Sequence, residues 1–212
     1  MWLMAPPPRT ATPSMSRLLP RSAPVWLTDP IVGFLAKVGV TPNMLTIAGV
    51  LGNAGAAALA ARGDFLPAGI VMLAAGALDF LDGALARATG KATRFGSVFD
   101  AVMDRVSEAA LLFGLLFYFS DRGGRQEELL VFIALAASFL VSYTRARAEI
   151  VDVPLREGLF ARAERVVLLS IGLIIDQVTV ALWILAVAAS VTAIQRLALV
   201  WLRIGRSGDQ GR

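Results

Sequence analysis

Six apolar stretches dominate the chain, centred near residues 43 to 61, 66 to 86, 97 to 119, 128 to 149, 164 to 181 and 182 to 202. Each approaches the ~20 residues that a helix needs to cross ~30 Å of hydrocarbon. With 57% hydrophobic residues and a mean hydropathy of +0.68, the chain is far more apolar than a soluble domain needs to be. The predicted fold class is an all-α integral membrane protein with six transmembrane helices. Asp176 and Gln177 mark the expected turn between the fifth and sixth spans, because one helix of nearly forty residues would overshoot a bilayer.

An amphipathic segment at 26 to 40, WLTDPIVGFLAKVGV, precedes the first span. Pro30 interrupts it, and it is too short to cross, so an interfacial helix lying along the membrane surface is expected. Residues 1 to 24 mix Pro, Ser, Thr and Arg without periodicity and read as a disordered tail, with Met15 as an alternative start. The predicted organisation is thus a tail over 1–24, one membrane domain over 25–206 and a short tail over 207–212.

The basic residues orient the spans. Of 20 lysines and arginines, only Arg62, Arg122 and Arg125 fall on one side when the N-terminus is put inside. The positive-inside rule therefore places both termini, and the loop from 145 to 165, in the cytoplasm of a multi-pass protein of the cell membrane. The chain has neither cysteine nor histidine, which excludes disulfides, zinc–thiolate sites and histidine-based acid–base chemistry. Its net charge of +4 suits anionic headgroups or phosphates, and no basic segment interleaved with aromatics suggests nucleic acid.

Against this background DFLDGALARATGKATRFGSVFDAVMDR, residues 79 to 105, is costly. Asp79 and Asp82 are i and i+3 and share a helix face with Gly83 and Ala86; Asp100 and Asp104 are i and i+4 on the next helix, one turn beyond Gly96. The intervening KATRF segment is expected to let the two helices pack antiparallel with their carboxylates facing. Four carboxylates near a bilayer repel and lose hydration, and bound cations are the natural compensation. All-oxygen ligation favours hard ions, Mg2+ with Mn2+ as the alternative, and four aspartates can hold two of them against a phosphoryl group. Small residues at 83, 86 and 96 leave room for a substrate, and Arg87 is positioned to clamp a diphosphate oxygen. Any one of these aspartates taken alone is better read as a solvated helix-end carboxylate; the whole set at this spacing is not.

The pattern D-x2-D-G-x2-A-R-x8-G-x3-D-x3-D resembles the signature of the CDP-alcohol phosphotransferase family of membrane enzymes, and every fixed position is met. The resemblance implies displacement of CMP from a CDP-linked lipid by an acceptor hydroxyl. It implies that Asp79, Asp82, Asp100 and Asp104 ligate two metal ions and that Asp104 is the general base. It further implies CDP-lipid contacts from Asn43, Met44, Leu45, Thr46, Gly83, Arg87 and Thr93, and a homodimer. Read without the family, TPNMLT at 41 to 46 is a helix start with Pro near N1 and Asn as cap.

For the acceptor, the informative region is 142 to 165 together with Gln195 and Arg196. It collects Arg145, Arg147, Arg156, Arg162, Arg165 and Arg196, more cations than a neutral alcohol requires, although positive-inside topology accounts for about half of them. The pattern resembles the phosphatidylinositol phosphate synthases and their archaeal relatives, which implies inositol 1-phosphate as acceptor, its phosphate held by Arg145, Arg165 and Arg196. The expected substrates are therefore CDP-diacylglycerol and a phosphorylated polar alcohol. A phosphatidylglycerophosphate synthase is the runner-up, and a divalent-cation transporter a distant third. The apolar character of the far halves of the helices argues against a transport path.

Overall fold

The computed structural model describes residues 25–122, 124–153, 155 and 160–209, with side chains described over 29–204 of these. The expected tail at 1–24, the end of the C-terminal tail and Arg156 lie outside the described residues. Among those residues the chain is wholly helical. Helix α1 spans Val25–Lys37, α2 Pro42–Arg62, α3 Phe65–Ala88, α4 Arg94–Ser120, α5 Arg125–Ile150, α6 Arg162–Ile174 and α7 Val178–Asp209.

Local chemistry sets these limits. Thr41, extended at φ −99°, caps α2 by accepting from the Met44 amide, with Pro42 at N1, where its missing N–H costs nothing. The cap is thus Thr41 and not Asn43, because only the threonine hydroxyl lies one residue outside the helix. Gly63 ends α2 at φ +91°, a left-handed conformation that favours glycine. Thr93 caps α4, its hydroxyl accepting from the Gly96 amide at 2.9 Å. The turn before α7 falls at Ile175–Gln177, with Asp176 at φ +56°, so α7 begins at Val178, four residues earlier than the sixth apolar stretch. Helix α1 runs unbroken through Pro30, in its second turn.

Among the described residues, four helices have the length and hydropathy to cross a membrane: α2, α3, α5 and the Val178–Ile204 part of α7. Helix α4 has 27 residues, about 40 Å at 1.5 Å per residue, but carries Asp100, Asp104 and Arg105 in its first half and Glu108 at its middle. Helix α6 has 13 residues, about 20 Å, too short to cross alone. Large apolar side chains such as Phe132, Ile194 and Trp201 are exposed around the bundle, as a lipid-facing surface requires.

The core joins Ala56 and Ala60 of α2, Met72 of α3, Leu111, Leu112 and Leu115 of α4, Val131 of α5, Leu173 of α6 and Leu182 and Leu185 of α7. Helix α2 is the wedge. Its small residues let both neighbours come close: a Cβ on Gly114 of α4 would collide with the carbonyl of Ala57, and a Cβ on Gly52 would meet that of Ala75 on α3 at 3.1 Å. Helices α3 and α4 therefore both pack on α2 and not on each other, which corrects the expected direct antiparallel pair. The KATRF connection carries the chain across the end of α2, and α6 packs on the other side of α3.

Candidate functional site

The last turns of α3 and the first turns of α4 open at one end of the bundle beside the start of α2. There a cavity of about 240 Å³ is lined by Pro42, Asn43 and Thr46 of α2, Asp82, Gly83, Ala86 and Arg87 of α3, Lys91 to Thr93 of the connection, and Gly96, Ser97 and Asp100 of α4. The sequence pattern therefore becomes one concave surface, with Arg87 exposed at the rim and Asp82 buried at the floor. The Thr46 hydroxyl donates to Asp82 Oδ2 at 2.6 Å, fixing that carboxylate from the neighbouring helix. Gly96 must be small here: a Cβ would stand 2.9 Å from the Thr93 hydroxyl and disturb the cap.

Of the seven residues expected at the CDP-lipid, Asn43, Thr46, Gly83, Arg87 and Thr93 line this cavity. Met44 is exposed outside its lining, and Leu45 is buried against Val32 and Leu85. The helical period explains this: Asn43 and Thr46 are i and i+3 on one face, and the two residues between them turn away.

Asp79 and Asp104 lie deeper. Neither touches the other; the Arg162 guanidinium from the start of α6 stands between them. Its Nη2 donates to Asp79 Oδ2 at 2.5 Å, and its Nη1 lies 3.0 Å from Asp104 Oδ1. Arg105 adds a longer contact to Asp104 Oδ2 at 3.4 Å. Among the described residues, no three carboxylates converge closely enough to hold one ion. The donor set nonetheless fits a divalent cation: it is all oxygen and anionic, the carboxylates lie within coulombic range of one another, and a protein cation already bridges two of them.

The expected acceptor arginines occupy three different settings. Arg145 is exposed and pairs with Glu149 one turn on at 3.0 Å. Arg165 is buried in a two-point bridge to Glu108, with Nε to Oε1 at 2.7 Å and Nη2 to Oε2 at 3.0 Å. Arg196 is buried and donates to the Val141 carbonyl at 2.8 Å, one turn from Arg145. Two residues were overlooked in reading the sequence as a site: Glu108 and, as a partner of the aspartates, Arg162. Glu108 had a signal, since it continues the i, i+4 line of Asp100 and Asp104; Arg162 had only its place three residues before Arg165. A small cavity of about 20 Å³ bordered by Asn53, Ser107, Glu108, Arg162 and Arg165 joins these groups, with room for one water.

Comparison with known proteins gives a consistent picture. The family model for CDP-alcohol phosphatidyltransferases matches residues 39–202. The archaetidylinositol phosphate synthase of Pyrococcus horikoshii is 38% identical over 169 residues, 77% of this chain and 85% of the relative. The phosphatidylinositol phosphate synthase of Mycobacterium marinum is 36% identical over 205 residues, 91% of this chain and 87% of the relative. Crystal structures of the Mycobacterium tuberculosis phosphatidylinositol phosphate synthase superpose at 34% identity. The form with CDP-DAG bound gives a TM-score of 0.76 over 83% of this chain and 94% of that one. The form with manganese and citrate gives 0.74 over 82% and 88%.

Proposed function

The chain belongs to the CDP-alcohol phosphatidyltransferase family, and on that premise we propose that it transfers a phosphatidyl group from CDP-diacylglycerol to a hydroxyl of inositol 1-phosphate, releasing CMP. The observation that carries this reading is the cavity over Asp82 and Asp100, walled by Gly83, Arg87, Thr93 and Asn43. It combines a narrow glycine-lined wall, a cation at the mouth and carboxylates at the floor, which is the chemistry a nucleoside diphosphate ester with bound metal requires. The relatives named as inositol phosphate enzymes, and the CDP-DAG complex of one of them, support the same donor and acceptor.

Asp79, Asp82, Asp100 and Asp104 would hold two divalent ions, with Mg2+ the proposed physiological metal; the manganese form of the mycobacterial enzyme supports a divalent requirement. Bound there, such ions supply charge neutralisation at the diphosphate. The remaining work falls to the chain. Arg87 binds the diphosphate at the rim, and Asn43 and Thr93 orient the cytidine side. Asp104 accepts the proton of the attacking hydroxyl as the new P–O bond forms and the bond to CMP breaks. Arg145, Arg165 and Arg196 would hold the acceptor's phosphate.

The same reading takes the protein to be a cell-membrane homodimer with six crossings and both termini cytoplasmic. Helix α4 is tolerable as a crossing because Glu108, midway along it, is satisfied by Arg165 of α6, and α6, at 13 residues, would cross where the bilayer thins locally.

Purified protein with CDP-diacylglycerol and Mg2+ should release CMP with inositol 1-phosphate and not with glycerol 3-phosphate, serine or inositol. Release with glycerol 3-phosphate in place of inositol 1-phosphate would move the assignment to a phosphatidylglycerophosphate synthase.

A further inference from the structure

We propose that Arg162 is the resident counter-cation of the aspartate cluster and the group that a divalent ion must displace to bind. The inference rests on the reading that these aspartates are metal ligands. Three observations carry it. First, the guanidinium bridges Asp79 Oδ2 and Asp104 Oδ1, one carboxylate from α3 and one from α4, across helices that do not pack on each other. With that fork in place, no three carboxylates close on one point among the described residues. The arginine therefore occupies the charge-compensating position and at the same time holds the ligand set open.

Second, Arg162 is the first residue of α6. The N-terminal end of a helix carries positive partial charge and disfavours a cation. Nothing in the helix itself explains an arginine there; the two carboxylates do. Third, among the described residues the Arg162 Nε is buried without a hydrogen-bond partner. A guanidinium built into a permanent ion pair normally satisfies its donors. The contrast is Arg165, three residues on, whose Nε and Nη2 both reach Glu108. Arg165 bonds a carboxylate outside the ligand set, whereas among the described residues the ion pairs of Arg162 are made with Asp79 and Asp104, groups that the metal also needs.

Metal entry is then an exchange. Asp79 and Asp104 would hold the ion, and the guanidinium would leave them on its long flexible stem. Apparent metal affinity is the intrinsic affinity multiplied by the fraction of protein in which Arg162 has released the carboxylates. Removing the competing cation should therefore tighten metal binding even where turnover falls.

The test is a titration of the full-length protein in detergent with Mn2+ alone, read from the electron paramagnetic resonance signal of free Mn2+. Arg162→Gln should lower the Kd for Mn2+ about tenfold relative to wild type. Arg162→Lys keeps the charge but cannot fork across two carboxylates, and should fall between the two. Thermal melts give a second readout: Arg162→Gln should be destabilised in EDTA and recover on adding Mn2+ by a larger margin than wild type does. If Mn2+ binds to wild type, fails to bind to Asp79→Asn, and binds to both Arg162 variants equally well or more weakly than to wild type, the metal site stands and the competitor role is wrong. A wild-type protein that leaves the Mn2+ signal unchanged overturns the metal reading and this inference with it.

Discussion

Asp104 is proposed to carry two duties, metal ligation and proton acceptance, and the residue scale is where they can be separated from folding. Its carboxylate meets Arg162 and Arg105 through ion pairs, and an amide of the same shape can still accept hydrogen bonds. Asp104→Asn should therefore insert and purify normally while CMP release falls at least 10²-fold, the lower end of what a general base contributes; retained turnover would remove Asp104 from that role. Arg145 allows a cleaner test of acceptor binding. It is exposed and its bridge to Glu149 is worth only about 0.3–0.5 kcal/mol as an i, i+4 pair, so little structure depends on it. Arg145→Gln should raise the KM for inositol 1-phosphate about tenfold, leaving the KM for CDP-diacylglycerol and the melting temperature unchanged. The Glu108–Arg165 bridge is the opposite case, since Arg165 is 3% exposed. Glu108→Ala strands a buried guanidinium and should cost about 3–5 kcal/mol of stability, read as a lower melting temperature in detergent. The aspartates were legible in the sequence because four charges in an oily chain demand compensation. Glu108 was less so, because an isolated carboxylate on an amphipathic helix has many ordinary uses.

At the scale of elements, helix existence was read correctly from hydropathy and helix packing was not. Stretches of about twenty apolar residues report length and burial, but not which neighbour each face meets. The expected α3–α4 pair fails because α2, with Gly52 and the Ala56–Ala58 run, is narrow enough to be enclosed by both. The same narrowness gives a prediction. Gly114→Val on α4 would drive a side chain into the Ala57 carbonyl and should cost about 1–3 kcal/mol by overpacking. An equal-sized change at the exposed Phe117 (Phe117→Leu), on the same helix, should leave the melt unchanged. The boundary between α6 and α7 was visible only as Asp176 and Gln177. Only that two-residue polar dip separates Ile175 from Val178, and the positive φ of Asp176 marks the turn more sharply than the surrounding apolar pattern does.

For the whole molecule, the arginine and lysine asymmetry predicts that the cavity opens to the cytoplasm. Because the chain contains no cysteine, single cysteines report topology without background. In intact cells, a cysteine replacing Lys91 at the cavity mouth should be protected from a membrane-impermeant maleimide, and one replacing Arg122 at the opposite end should be labelled. The reverse pattern would invert the orientation. Mass spectrometry of the lipid product tests most directly which bond is made and which alcohol receives the phosphatidyl group. Purified protein supplied with CDP-diacylglycerol, inositol 1-phosphate and Mg2+ should yield phosphatidylinositol phosphate and CMP in equal amounts, and neither in EDTA. CMP formed without that lipid, or the lipid formed undiminished in EDTA, would contradict the proposed transfer.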